Sequence, residues 1–197
     1  MNPKYYFFLY KPYGVLSQFT PEQAGQRTLA DLGYDFPPEV YPVGRLDADS
    51  EGLLLLTDDK TLNARLLSPK RHVAKTYWAQ VEGAPGEADI EKLRRGVEIK
   101  VKGAAYRTRP ARALLLAAPP ELPPREPPVR FRKTVPDTWV EITLTEGKNR
   151  QARSMCAAIG FPVLRLVRVA FGPYRLGEGV LKGLLPGDVV SLERFVY

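Results

Sequence analysis

The chain has 197 residues, of which 44% are hydrophobic and 26% are charged, a composition typical of a folded globular protein. There are 29 Lys and Arg against 22 Asp and Glu, a net charge of +7, which favours a polyanionic partner such as a nucleic acid. The single cysteine, Cys156, excludes a disulfide framework and indicates the reducing cytoplasm. No apolar run approaches the roughly 20 residues of a membrane-spanning helix, and no signal peptide is recognised, so we expect no membrane partner.

The first part of the chain predicts two strands and a helix. The aromatic stretch Lys4–Tyr10 favours a strand, and the short apolar run Gly52–Thr57 favours a buried strand because it is too short for a helix. Asp58 or Asp59 is predicted to cap the helix that follows. Leu62, Leu66 and Leu67 are predicted to share one face of this helix.

The remainder predicts four strands and two helices around a proline-rich segment. The strands are Thr76–Val81, Trp139–Leu144, Val163–Val169 and Asp188–Leu192, and the helices are Glu87–Arg95 and Asn149–Ile159. Residues 118–128 include six prolines and predict a stiff connector, either between two lobes or as an excursion within one sheet. This irregular alternation predicts an α+β fold with a mixed, mostly antiparallel sheet and flanking helices, formed by residues 1–197 as one domain, with two lobes as the alternative.

The chemistry available to this chain is restricted by what it lacks. His72 is the only histidine, so the chain offers no second histidine for a multi-histidine metal site. A Ser-His-Asp triad would have to use His72. There is no glycine-rich phosphate loop and no dinucleotide-binding fingerprint. Catalysis would therefore depend on carboxylates, basic side chains or tyrosine.

A first candidate segment, Val43–Gly52, presents Asp47 close to Arg45 in a turn-rich loop before the predicted buried strand. One alternative is an ordinary solvated acidic turn. A second alternative is a calcium loop, because acidic residues in this segment and just after it have a similar spacing. Those residues are Asp47, Asp49 and Glu51 within the segment and Asp58 beyond it. Against calcium, the loop is predicted to run into a strand rather than a helix.

A second candidate segment, Leu144–Arg153, concentrates positive charge at a predicted helix N-terminus. Arg150 and Arg153 are three residues apart and are predicted to share a helical face. With Lys148 they would place three cations beside the free N–H groups of the helix, which favours an anion-binding site. A solvated basic face is the alternative.

Taken together, several segments resemble the RsuA/RluE branch of the pseudouridine synthases. They are Lys11–Gly14, Gly44–Asp58, Lys75–Tyr77, Glu146–Arg153 and Gly160–Leu166. Their order and spacing match over nearly the whole chain. The resemblance implies the pseudouridine synthase fold with a central active-site cleft, and isomerisation of an RNA uridine without cofactor or metal. Many members of the branch carry a small N-terminal RNA-binding domain. Because Lys4 leads directly into the motifs, we expect this chain to lack that domain and to act, as a monomer, on a large-subunit rRNA stem-loop.

The resemblance also implies roles for individual residues. Asp47 would be the nucleophile that attacks a flipped uridine, and Tyr77 would stack on the extruded base, with a core tyrosine as the alternative. Arg45 would fill the gap left in the RNA stem or grip a phosphate. A cation beside Asp47 would come from Lys148, Arg150 or Arg153, with Arg153 or Arg150 favoured. The residues expected to contact RNA are Arg45, Lys75, Lys148, Lys11 and Arg165, with loop support as a further role for Lys11. A non-catalytic rRNA-binding or ribosome-assembly factor is the alternative function.

Overall fold

The chain divides between two units in the computed structural model, which describes residues 4–68, 70–130 and 134–197. The first unit comprises residues 4–73 and 168–197, and the second comprises residues 74–167. The chain passes from the second unit back to the first within one strand, β9 (Val163–Phe171).

The first unit is built on an antiparallel sheet. Besides the end of β9, its strands are β1 (Tyr6–Lys11), β2 (Tyr41–Pro42), β3 (Glu51–Thr57), β10 (Tyr174–Arg175) and β11 (Val189–Leu192). Strand β1 lies between β11 and β3, β2 pairs with β3, and β10 pairs with β9. Helix α1 (Lys60–Leu67) follows β3, and two short 3-10 helices span Leu29–Leu32 and Gly179–Leu181.

Strand β3 is buried along its whole length because both faces of the sheet are covered. Side chains alternate between the faces of a strand, so the two apolar faces of β1 and β3 feed two separate clusters. One cluster includes Phe8, Leu53, Leu55 and Leu66, and the other includes Phe7, Leu9, Leu54 and Leu56. A strand covered on both sides has a continuous apolar sequence rather than an alternating one, and the prediction of a buried strand here is confirmed.

Helix α1 begins as predicted but buries fewer leucines. Asp59 is its N-cap residue, and its carboxylate accepts a hydrogen bond from the Leu62 N–H at 2.9 Å. Leu66 is 2% exposed, whereas Leu67 is 50% exposed. The prediction that Leu67 shares a face with Leu66 is wrong, because one residue turns the helix by about 100° and carries Leu67 away from the core.

The second unit combines an antiparallel sheet, a hairpin and two helices. In spatial order the sheet contains β4 (Lys75–Glu82), β8 (Asp137–Leu144) and β7 (Arg112–Leu115). Strands β5 (Glu98–Val101) and β6 (Ala104–Arg107) form the hairpin, and the helices are α2 (Glu87–Arg95) and α3 (Gln151–Ala158). The core of this unit includes Ala79, Val81, Ile90, Leu93, Val140, Ile142 and Met155.

The predicted α+β class with a mostly antiparallel sheet is confirmed. Helix α2 has the predicted bounds, and Gly96 follows it. The proline-rich segment 118–128 lies inside the second unit, between β7 and β8, and these two strands pair with each other. None of the helices in the described residues has the length and apolar character needed to span a lipid bilayer.

Candidate active-site residues

The loop that carries Asp47 lies between β2 and β3 and is fixed through its backbone. Leu46, the preceding residue, is 5% exposed. The Leu46 N–H donates to Ser17 Oγ at 3.0 Å, and the Ser17 hydroxyl donates to the Leu46 carbonyl at 2.8 Å. On the other side, the Ser50 N–H donates to the Asp47 carbonyl at 3.0 Å and closes a turn. The half-buried Asp47 side chain therefore projects from a backbone that is held on both sides.

A buried lysine supports the same loop. Lys11 ends β1 and is fully enclosed, with an exposed fraction of 0%. Its ammonium donates to the carbonyls of Pro12 at 2.8 Å and Val15 at 2.7 Å. A third bond, 3.4 Å long, reaches the carbonyl of Ala48, the residue after Asp47. Lys11 thus joins the end of β1 to the backbone of the loop.

The enclosure of Lys11 also affects the pKa of its ammonium group and the contacts that it can make. Burial lowers the pKa of Lys11 to about 7, although the nearby carboxylates of Glu51, Asp49 and Asp47 oppose this shift. A side chain with no exposed surface cannot touch a phosphate. The prediction that Lys11 contacts RNA is therefore wrong, and its contacts fit the other expected role, support of the loop.

Arg45 lies at the surface, two residues before Asp47. Its guanidinium is 3.5 Å from the carboxylate of Glu22, and both side chains are more than half exposed. Exposed ion pairs of this kind contribute little stability. An RNA phosphate can therefore replace Glu22 beside Arg45 at small cost.

The calcium-loop interpretation does not fit the structure. Glu51 is 2% exposed and begins β3, so the chain is already a strand where the loop should continue. The Asp58 carboxylate accepts hydrogen bonds from the Tyr5 N–H at 2.8 Å and the Lys4 ammonium at 3.4 Å. Across residues 4–68, 70–130 and 134–197 there is no group of three or more His, Cys, Asp or Glu placed to hold a metal ion.

In the second unit, Tyr77 and Lys75 lie on β4. The two-residue period of a strand puts them on the same face as the fully buried Ala79. Tyr77 is half-buried and packs against the hydrophobic core of this unit. A ring anchored in this way has a fixed orientation and keeps part of its surface exposed, as stacking on a base would need.

The basic segment divides into a loop and a helix. Arg150 is exposed and is the N-cap residue of α3, in the left-handed conformation with φ of 50°. The prediction that it shares a helical face with Arg153 is wrong, because α3 begins only at Gln151. Arg153 lies in the first turn of α3, is half-buried, and donates to the Val163 carbonyl at 3.2 Å. Lys148 is exposed, and its ammonium lies 4.7 Å from the centre of the Tyr106 ring, a cation–π distance.

Arg165 is an internal residue of β9 rather than a surface cation. It is 7% exposed, and its guanidinium donates to the Pro123 carbonyl at 2.9 Å. Most of the Arg165 side chain is thus enclosed, and an RNA contact at Arg165 stays a prediction. The hydrogen bond to Pro123 ties the proline-rich segment to β9.

The predicted residues thus fall into two groups. Asp47, Arg45 and Lys11 belong to the first unit, and the others belong to the second. The second group is Tyr77, Lys75, Lys148, Arg150, Arg153 and Arg165. The partner of Asp47 among the basic residues stays a prediction. Sequence reasoning missed Ser17 and Tyr106, which carry no motif, and their positions give no signal before the chain is folded.

With this geometry described, comparison with known proteins assigns the chain to a family. Residues 5–158 match the family model described as RNA pseudouridylate synthase, and the chain belongs to that family. Its similarity to individual members is high. It is 57% identical over 169 residues to "Ribosomal large subunit pseudouridine synthase E" of Xanthomonas axonopodis pv. citri, which covers 85% of this chain and 86% of that protein.

A more distant relative and a solved structure agree with this assignment. "Ribosomal large subunit pseudouridine synthase B" of Bacillus subtilis is 36% identical over 187 residues, covering 95% of this chain and 67% of that protein. A crystal structure of a pseudouridylate synthase superimposes with a TM-score of 0.75 at 28% identity, over 98% of this chain and 71% of the other.

Proposed function

We propose that this protein isomerises a specific uridine to pseudouridine in large-subunit rRNA, in the cytoplasm. The proposed substrate is the one named for the relatives at 57% and 36% identity, which are ribosomal large subunit pseudouridine synthases. The observation that carries the proposal is the fixed backbone on both sides of Asp47, with hydrogen bonds through Ser17 and Ser50. A nucleophile must be aimed at one atom of the substrate, and such a turn limits the directions available to its side chain.

In the proposed reaction, the Asp47 carboxylate attacks the anomeric carbon C1′ of a uridine flipped out of its RNA stem. The C1′–N1 bond breaks, and its electron pair leaves with the uracil ring. The ring turns, C5 bonds to C1′, and the bond to Asp47 breaks to restore the carboxylate. C5 then loses its proton and N1 gains one. The product is an isomer of the substrate, so no oxidant, reductant or cofactor is consumed.

We propose Arg153 as the basic residue that acts together with the Asp47 nucleophile in this reaction. A dry site raises the pKa of a carboxyl group unless a positive charge lies near it. Among the three alternatives, only Arg153 lies within a helix and is half-buried, with its guanidinium held by the Val163 carbonyl. Lys148 contacts Tyr106, and Arg150 is exposed outside the helix. Tyr77 stacks on the flipped base, and Arg45 contacts the RNA that surrounds the vacated position.

Tritium release from rRNA labelled at C5 of uridine tests the proposal, because the isomerisation frees that hydrogen. Asp47→Asn should abolish release while leaving RNA affinity within about twofold, since one neutral, isosteric change removes the nucleophile and no phosphate contact. Asp49→Asn, on the same loop, is the matched control and should keep its activity. Measurable turnover by the Asp47→Asn protein would overturn the assignment.

Pseudouridine mapping of rRNA from cells with and without the gene identifies the target. Loss of one pseudouridine in large-subunit rRNA is the expected result. An unchanged map would instead favour the non-catalytic rRNA-binding factor, which retains Asp47 and Tyr77 without using them.

A further inference from the structure

A single carboxylate in the second unit gathers donors from three parts of the chain. Glu146, just after β8, accepts a hydrogen bond from the Tyr106 hydroxyl at 2.6 Å on one oxygen. Its other oxygen accepts from the Arg109 N–H at 2.9 Å and from the Gln151 amide at 2.6 Å. Burial opposes the ionisation of Glu146, but these three donors outweigh it, and its pKa lies below the ordinary value. Glu146 is thus an ionised, half-buried carboxylate that accepts three hydrogen bonds.

The same contacts also hold the basic loop, residues 145–150 between β8 and α3. Gln151 is 4% exposed and uses both ends of its amide: the nitrogen donates to Glu146, and the oxygen accepts the Lys148 N–H at 2.9 Å. The Lys148 ammonium lies over the Tyr106 ring. Both the backbone and the side chain of Lys148 are therefore held by members of one network.

The network also connects the loop to a rigid support. Tyr106 lies on β6, opposite Ile99 of β5, and both side chains pack on the core of the second unit. Gln151 begins α3, the helix that carries Arg153 in its first turn. Tyr106 and Gln151 thus place the Glu146 carboxylate between a core-anchored hairpin and the start of that helix.

We propose that Tyr106, Glu146 and Gln151 are positioning residues for pseudouridine formation, fixing the loop that leads into α3 so that its cations keep one orientation towards the reacting uridine. The inference rests on the proposed function and extends it to residues with no part in the chemical steps. Groups that hold functional side chains by hydrogen bonds set the precision of a site. Small displacements of such side chains reduce rates strongly.

Two substitutions test the network with little change in volume. Tyr106→Phe removes the hydroxyl but keeps the ring under Lys148, and Glu146→Gln removes the charge. Each should lower kcat for tritium release about ten- to a hundredfold, with KM and RNA affinity within about twofold. Glu146→Ala should be slower than Glu146→Gln, so that the conservative variant restores part of the rate. A purely stabilising role would not divide kcat from KM in this way.

The matched controls come from a similar pair in the same unit. The Trp78 indole donates to the Glu141 carboxylate at 2.8 Å across β4 and β8. Both residues are half-buried, and neither is one of the three network residues Tyr106, Glu146 and Gln151. Trp78→Phe and Glu141→Gln should keep kcat within about twofold of wild type while lowering the melting temperature as much as the test variants do.

The outcomes separate the two proposals. Active wild-type protein with kcat for Tyr106→Phe and Glu146→Gln equal to that of the controls would overturn the positioning role alone. Wild-type protein that releases no tritium from any large-subunit rRNA would overturn the proposed function, and the positioning role with it. A slow kcat in both test variants at unchanged KM, with both controls active, supports the inference.

Discussion

The loop before β3 and the loop before α3 are held in place by opposite chemistry. The first carries the acidic Asp47 and is fixed by a buried cation, Lys11, whose ammonium donates to backbone carbonyls. The second carries basic residues and is fixed by a half-buried anion, Glu146, which accepts from N–H and O–H groups. In each unit the supporting ion has the charge opposite to that of the predicted functional residue.

Both loops are supported by hydrogen bonds to groups other than the predicted functional side chains. The Lys11 ammonium donates to the backbone carbonyls of Pro12, Val15 and Ala48, and Ala48 is the residue that follows Asp47. Glu146 likewise bonds the Arg109 N–H, a tyrosine and an amide. In both loops the support consists of hydrogen bonds that fix the loop itself, from Lys11 to backbone carbonyls and from N–H and O–H donors to Glu146.

The largest effect is expected at Arg153, because it is assigned to the reacting carboxylate. Arg153→Lys keeps the charge but loses the planar guanidinium held by Val163. We expect a fall in kcat of about a hundredfold, measured by single-turnover tritium release. Arg150→Lys, at the exposed residue before α3, serves as the control and should change kcat by less than about threefold. A larger loss at Arg150 than at Arg153 would reverse the assignment.

Replacing the buried cation of the first unit should give the next largest effect. Lys11→Met fills the same space but removes the donor to the Val15 and Ala48 carbonyls, so the loop next to Asp47 loosens. We expect kcat to fall about tenfold, with RNA affinity unchanged because Lys11 is enclosed. Lys4→Met, at an exposed lysine paired with Asp58, is the control. An unchanged kcat for Lys11→Met would show that the loop does not need this support.

Ser17 should have a smaller effect, on stability. Ser17→Ala removes two hydrogen bonds with the backbone of Leu46, which we expect to lower the free energy of unfolding by about 2 kcal/mol. Urea denaturation measures this value, and Ser191→Ala on the exposed side of β11 provides the control. Equal stabilities for the two variants would mean that Leu46 finds other partners.

The smallest effects are expected in the pH dependence of stability, which should differ between Lys11 and Glu146. The pKa of Lys11 is lowered to about 7, so above pH 7 the native state binds fewer protons than the unfolded state. Wild-type stability relative to Lys11→Met should therefore rise with pH from about 7 to about 10. The pKa of Glu146 is lowered from 4.5, so its contribution is present above that pH and is lost in acid. Relative to Glu146→Gln, wild-type stability should fall below about pH 4.5.

Melting temperatures of the three proteins measured across pH 3–10 check both signs. Parallel curves for wild type and Lys11→Met above pH 7 would mean that the lysine is charged throughout. Parallel curves for wild type and Glu146→Gln in acid would mean that the Glu146 carboxylate adds no stability.

The main elements of the fold could be predicted because their signals are local. The run of leucines in β3 and the Asp59 cap of α1 each follow from a few neighbouring residues. Strands β5, β6 and β7 were not predicted as separate elements, since each has only four residues and carries exposed charges. Nothing in such a segment distinguishes a short strand from a loop until its partner is known.

The candidate site shows the same limit for side chains. The motif order pointed to Asp47 and Tyr77, but the burial of Lys11 and Arg165 depends on parts of the chain far from them in sequence. Arg150 was misplaced because helix periodicity was extended two residues before α3 begins. Charge and spacing predict which residues are suited to a role, whereas enclosure is decided by tertiary packing.

The leucines of β3 have a further consequence for handling the protein. An uncharged run such as Leu53–Leu56, with both faces apolar, is the kind of segment that assembles into intermolecular β-structure when a chain opens. In the native state it is shielded by β1 and by the clusters on either side. Variants that weaken β1 should therefore precipitate on heating instead of unfolding reversibly, and their refolding yield should fall as protein concentration rises.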